Sequence, residues 1–130
     1  MSITLDSPNY ASDWLKGESA YGEYSSRDQA VLAAGQGVVV TGTPLGLRTA
    51  DSKYVIMAAG TTDGSQTFDG ILFNQAVDTS LGDQTVVVVD GDATVMHQGL
   101  VWGPTINTPA LRAAAVAQMA AKNIKDRQGA

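Results

Sequence analysis

The stretch 59-AGTTDGSQTFDGILFNQAVD-78 decides how the rest of the chain is read. Asp63-Gly64 is a tight-turn dipeptide, because glycine takes a positive φ without a Cβ clash and an aspartate side chain can hydrogen-bond the backbone just beyond it. Asp69-Gly70 repeats that signal. Ile71-Leu72-Phe73 follows, and three apolar residues in succession mark a strand covered on both faces. The stretch therefore predicts structural turns at Asp63, Gly64 and Gly70, then a strand with Ile71 and Leu72 in the core. The strands on either side are expected to pack on this element. None of its residue types forms a catalytic pattern.

Upstream, Val38-Val39-Val40 is a β-branched strand. Pro44 has no ladder donor, so it belongs at an edge or a strand start. Residues 50–53 read as a polar turn and 54–58 as a strand. Downstream, residues 86–89 are four valines, a strong strand. Asp90-Gly91 reads as a two-residue hairpin turn that returns the chain through residues 93–96. Trp102 is the largest apolar side chain of the body and is expected in the core. A helix over about 109–122 closes the body. Thr108 suits its N-cap, Pro109 its first position and Asn123 its left-handed end. Leu111, Ala115 and Met119 share a stripe, and the alanines around them let the helix lie close to a sheet.

Residues 1–24 follow no period for long, and Pro8, Asn9, Gly17 and Gly22 interrupt them. This segment is expected to be an extended N-terminal arm, with residues 25–130 forming the β-rich body. Three of the four tyrosines and one of the two tryptophans lie in the arm. Large aromatics concentrated in such a segment point to docking. Tyr10, Trp14, Leu15, Tyr21 and Tyr24 are the candidate contact residues, against the alternative that they cap the domain's own core. Arg27, at the arm's root, either clamps a partner's carboxylate or is a solvated side chain.

At 130 residues the chain suits one domain with a modest core, and 44% hydrophobic but 6% aromatic composition with 14 glycines suits short strands and many turns. A net charge of −5 without a basic cluster argues against nucleic acid. No apolar run approaches the roughly 20 residues of a membrane span. No basic-then-apolar leader opens the chain. A soluble protein made in a cytoplasm is the expectation, and no cofactor or metal is expected. His97 is the sole histidine and cysteine is absent, which leaves zinc without its usual ligands. Asp90-Gly91-Asp92 lacks the further ligands of a calcium loop. Asp63 and Asp69 could work as an acid–base pair. Each stands directly before a glycine, however, as turn residues do. No G-x-S-x-G nucleophile elbow occurs. An enzyme is therefore not expected.

The order of landmarks carries a resemblance. Ser26-Arg27 leads to Leu32, followed by a Gly-rich turn and Thr43-Pro44-Leu45-Gly46. A strand then enters Gly60-Thr61-Thr62-Asp63-Gly64, with Gly70-Ile71-Leu72 after it and Leu100-Val101-Trp102-Gly103-Pro104 late in the chain. Over roughly the last 100 residues this order resembles the head decoration proteins of lambda-like tailed bacteriophages. The resemblance implies a mostly β, β-clip fold with one C-terminal helix. It also implies a homotrimer at threefold positions on the outside of an expanded capsid, bound to the major capsid protein. The implied role is mechanical: holding the shell against the pressure of packaged DNA, as a late structural protein of the virion. Many family members add a short strand after the helix. The polar run Lys125-Asp126-Arg127-Gln128 argues against one here. A receptor- or glycan-binding β module of the virion surface is the alternative function, and an aromatic platform on the body would favour it.

Overall fold

The computed structural model describes residues 10–18 and 26–128. Ten strands run through them: β1 (Leu15–Glu18), β2 (Arg27–Leu32), β3 (Val38–Val40), β4 (Pro44–Arg48), β5 (Lys53–Ile56), β6 (Phe68–Leu72), β7 (Ala76–Asp78), β8 (Gln84–Val89), β9 (Ala93–Met96) and β10 (Ile124–Arg127). An α-helix, α1 (Pro109–Ala121), precedes β10, and the fold is mostly β as expected. Strands β2-β5-β4-β6-β8 close into a barrel. The seam is β8 against β2, antiparallel from Arg27 opposite Val89 to Leu32 opposite Gln84. A second sheet has the order β1-β9-β10, with β1 antiparallel and β10 parallel to β9. β3 and β7 form a separate antiparallel ribbon.

β6 is the shared wall. Successive strand residues face opposite ways, so Leu72 points into the barrel with Leu32, Leu45, Tyr54, Val86 and Val88. Ile71 points out of it, into a second core with Trp14, Phe68, Val95, Ala115, Met119 and Ile124. Two cores on either side of one strand explain why this stretch is apolar without alternation. Pro44 begins β4, where its missing N–H breaks no ladder.

Two glycine dipeptides have other roles than the expected turns. Asp69-Gly70 lies inside β6. Leu45 faces Gly70 and Gly46 faces Phe68, so the register shifts and Asp69 is the extra residue of a bulge. Gly70 packs on Val88, whose Cβ would lie 3.4 Å from a Cβ added there. Pairing on both sides, to β4 and β8, outweighs the local turn preference. Asp90-Gly91 is likewise no hairpin, because β8 and β9 belong to different sheets. It carries the chain from one to the other, and the Asp90 N–H donates to the Ser26 carbonyl at 2.9 Å. The left-handed residue there is Asp92, with φ 49°, and not Gly91.

The helix forms as its caps dictate. The Thr108 hydroxyl accepts from the Leu111 N–H and Pro109 opens the first turn. Ala115 and Met119 are buried, and Asn123 is left-handed with φ 61°. The chain then continues into β10, the strand that its polarity argued against. Ile124 and Asp126 face inward while Lys125 and Arg127 face solvent. An acidic residue at an inward position hides the alternation. Trp102 is half-buried, not central. It lies outside any strand and rests against His97, with ring centroids 5.6 Å apart, and near the Arg112 guanidinium at 5.9 Å.

Candidate functional site

In the N-terminal stretch, Tyr10 is 52% exposed, and its N–H donates to Asp13 Oδ2 at 2.8 Å across a single 3-10 turn. The next residues do not form a free arm. Trp14 is 0% exposed and sits in the second core. Its Nε1–H donates to Thr41 Oγ1 at 2.9 Å, and the Met96 N–H donates to its carbonyl at 2.7 Å. Two glycines make room for it. A Cβ on Gly42 would lie 2.8 Å from Trp14 Cδ1, and one on Gly99 would lie 2.2 Å from the Asp13 carbonyl oxygen. Leu15 then opens β1, half-buried and paired with Val95. The expectation of an exposed Trp14 ring is thus overturned, and the alternative that it caps the domain's own core holds. Distant glycines create the slot, so a local reading of residues 1–24 could not find it. Tyr21 and Tyr24 fall outside the described residues.

Arg27 is committed inside the chain. Its Nε donates to Glu18 Oε2 at 2.9 Å and its Nη2 to Oε1 at 2.6 Å, while the guanidinium lies 4.0 Å over the Phe73 ring. The Ser26 hydroxyl donates to the same Glu18 carboxylate. The Arg27 hydrogen bond holds the Glu18 carboxyl below its ordinary value against the opposing effect of burial. This bidentate pair joins the end of β1 to the start of β2, so the partly exposed Arg27 guanidinium already has a carboxylate of its own chain as partner.

The remaining candidates have structural partners. Gly64 is left-handed, with φ 105°, and Asp63 Oδ1 accepts from the Ser65 N–H and hydroxyl, as the turn reading requires. Asp69 accepts from the Tyr54 hydroxyl at 2.6 Å and pairs with Lys122 at 3.0 Å, tying the barrel to the end of α1. His97 Nδ1 lies 2.7 Å from Asp126 Oδ2. Among the described residues no three His, Asp or Glu side chains are grouped to hold a metal ion.

Asp90 is different. Burial raises its pKa above the ordinary value, and the Asp28 charge adds to this. A carboxyl with a raised folded pKa binds its proton more tightly in the native state. Its contribution is favourable below the unfolded value and is lost as pH rises through the folded one. Asp90→Asn is therefore expected to raise the melting temperature at pH 7 and to leave it unchanged at pH 3. Equal shifts at both pH values would reject the electrostatic account.

Two exposed apolar side chains went unnoticed in the sequence. Val38 is 63% exposed on the β3–β7 ribbon, and Leu81 is 96% exposed in the turn before β8. The signal for Leu81 was its position among turn residues, in Thr79-Ser80-Leu81-Gly82-Asp83.

Residues 4–124 match the family model described as bacteriophage lambda head decoration protein D. No curated protein matches the chain.

Proposed function

The chain belongs to the bacteriophage lambda head decoration protein D family, a family of capsid-associated structural proteins, and on that premise we propose that it binds as a trimer to the outside of an expanded phage head and stabilises the shell against internal DNA pressure. The family match across nearly the whole chain carries this reading. The uncovered Val38 and Leu81 supply apolar surface for contact between copies. Docking falls to the N-terminal side: residues 1–9, the exposed Tyr10, and Tyr21 and Tyr24 between the ends that the Glu18–Arg27 pair holds together. Trp14 serves this surface from within, by fixing where residue 10 emerges. Three weak attachments on one trimer engage together, so avidity supplies the grip.

Co-sedimentation with undecorated expanded heads tests docking, and light scattering tests assembly. The full chain is expected to pellet with heads and to scatter as a trimer. A variant lacking residues 1–9 is expected to remain folded and trimeric, with binding reduced by about tenfold or more through loss of multivalent contact. Undiminished binding by that variant would move the docking surface to the β body. A monomer at tens of micromolar would reject the trimer.

A further inference from the structure

A cleft of about 450 Å³ lies between the first half of α1 and β10. Pro109, Ala113 and Val116 form an apolar wall, with His97, Arg112 and Asp126 also lining it. The Asp126 side chain is 2% exposed, and its Oδ2 is satisfied by His97 Nδ1 at 2.7 Å. Its Oδ1 is buried and accepts no hydrogen bond from any of the described residues. A buried carboxylate oxygen without a donor is costly, which leaves this oxygen with an acceptor position to fill. Arg112 is not that donor. Its Nε donates to the Ile106 carbonyl at 3.2 Å and its guanidinium lies over Trp102.

We propose that this cleft takes a lysine or arginine side chain of a partner polypeptide, with the stem against Pro109, Ala113 and Val116 and a terminal N–H donating to Asp126 Oδ1. The chemistry selects this occupant. An apolar wall ending in an acceptor matches a side chain with a methylene stem and a cationic head. An anion would meet the carboxylate, and an apolar group would leave Oδ1 unpaired. His97 and Asp126 are too few ligands for a metal. A polypeptide fits better than a free amine, because the outer face of α1 beside the cleft is exposed alanine at 110, 113, 114 and 117, over which a backbone can approach closely. The net charge of −5 favours a basic partner. The inference stands independently of the capsid reading.

Amide chemical shifts of the full chain, titrated with N-acetyl-lysine methylamide, test it. The norleucine analogue, with the same stem and no cation, is the control. The lysine compound is expected to shift the amides of Ala113, Val116 and β10 saturably. The norleucine compound and the Asp126→Asn variant are each expected to weaken this by about tenfold, the share of one charge-assisted hydrogen bond. Ala113→Met adds bulk at the mouth from an exposed helical position and keeps helix propensity. It is expected to weaken binding too, and it decides the matter if Asp126→Asn fails to fold. Three outcomes overturn the site: no localised shift at tens of millimolar, equal shifts with both compounds, or shifts undiminished in the folded variants.

Discussion

Trp14→Ala is expected to lower the unfolding free energy by about 3–5 kcal/mol, the range for deleting a buried aromatic side chain. The indole is fully enclosed, and its loss empties the slot between Gly42 and Gly99. The damage spreads because Trp14 also holds β1 to β9. Its carbonyl takes the Met96 N–H, and Leu15 pairs with Val95 one residue on. Trp14→Phe keeps most of the apolar volume and removes the Nε1 donor to Thr41, so it should cost less, about 1–2 kcal/mol. Tyr10→Ala, at an exposed ring, should cost under about 0.5 kcal/mol. Urea denaturation measures all three. A Trp14→Ala loss below about 1 kcal/mol would contradict the buried placement. The same series separates stability from docking: Tyr10→Ala should weaken attachment to heads without touching the fold, whereas Trp14→Ala reduces attachment through the fold.

Gly64→Val should cost about 2–4 kcal/mol, from positive-φ strain together with a clash that the backbone cannot easily relieve. At φ 105° an added Cβ would stand 2.2 Å from the Leu47 carbonyl oxygen and 3.1 Å from the Thr49 nitrogen. Relief would require moving β4, which is paired on both edges, and breaking the 2.8 Å hydrogen bond from the Thr49 N–H to the Asp63 carbonyl. Because the clash is with Cβ itself, Gly64→Ala should lose nearly as much. Gly60→Ala isolates the strain: that residue has φ 79° and nothing within 4 Å of the added atom. It should cost only about 1 kcal/mol, the penalty of a left-handed alanine. Thermal melts of the three variants give the comparison, and equal losses at 60 and 64 would remove the clash from the account.

Local signals determined much of the molecule. Thr108-Pro109 and Asn123 mark the two ends of α1, because caps act through bonds to the nearest turn. Residues 86–89 form the strand that their four valines predict, and Ile71-Leu72 declares two buried faces without naming what covers either. The order of landmarks carried the resemblance to the family that the match over residues 4–124 shows. Pairing partners were a different matter. Asp69-Gly70 and Asp90-Gly91 carry the same turn preference as Asp63-Gly64, yet only the last is held left-handed. The other two are overruled by β4 and β8 flanking β6, and by β8 and β9 joining separate sheets. Asp126 looked like surface because its partner, His97, is 29 residues away in sequence. Trp14 looked like a docking ring because the glycines that receive it are at 42 and 99. A propensity is a property of a few neighbouring residues, whereas burial is decided by which distant backbone leaves room. At Trp14 and Asp126 that room exists only once the barrel and the second sheet have come together.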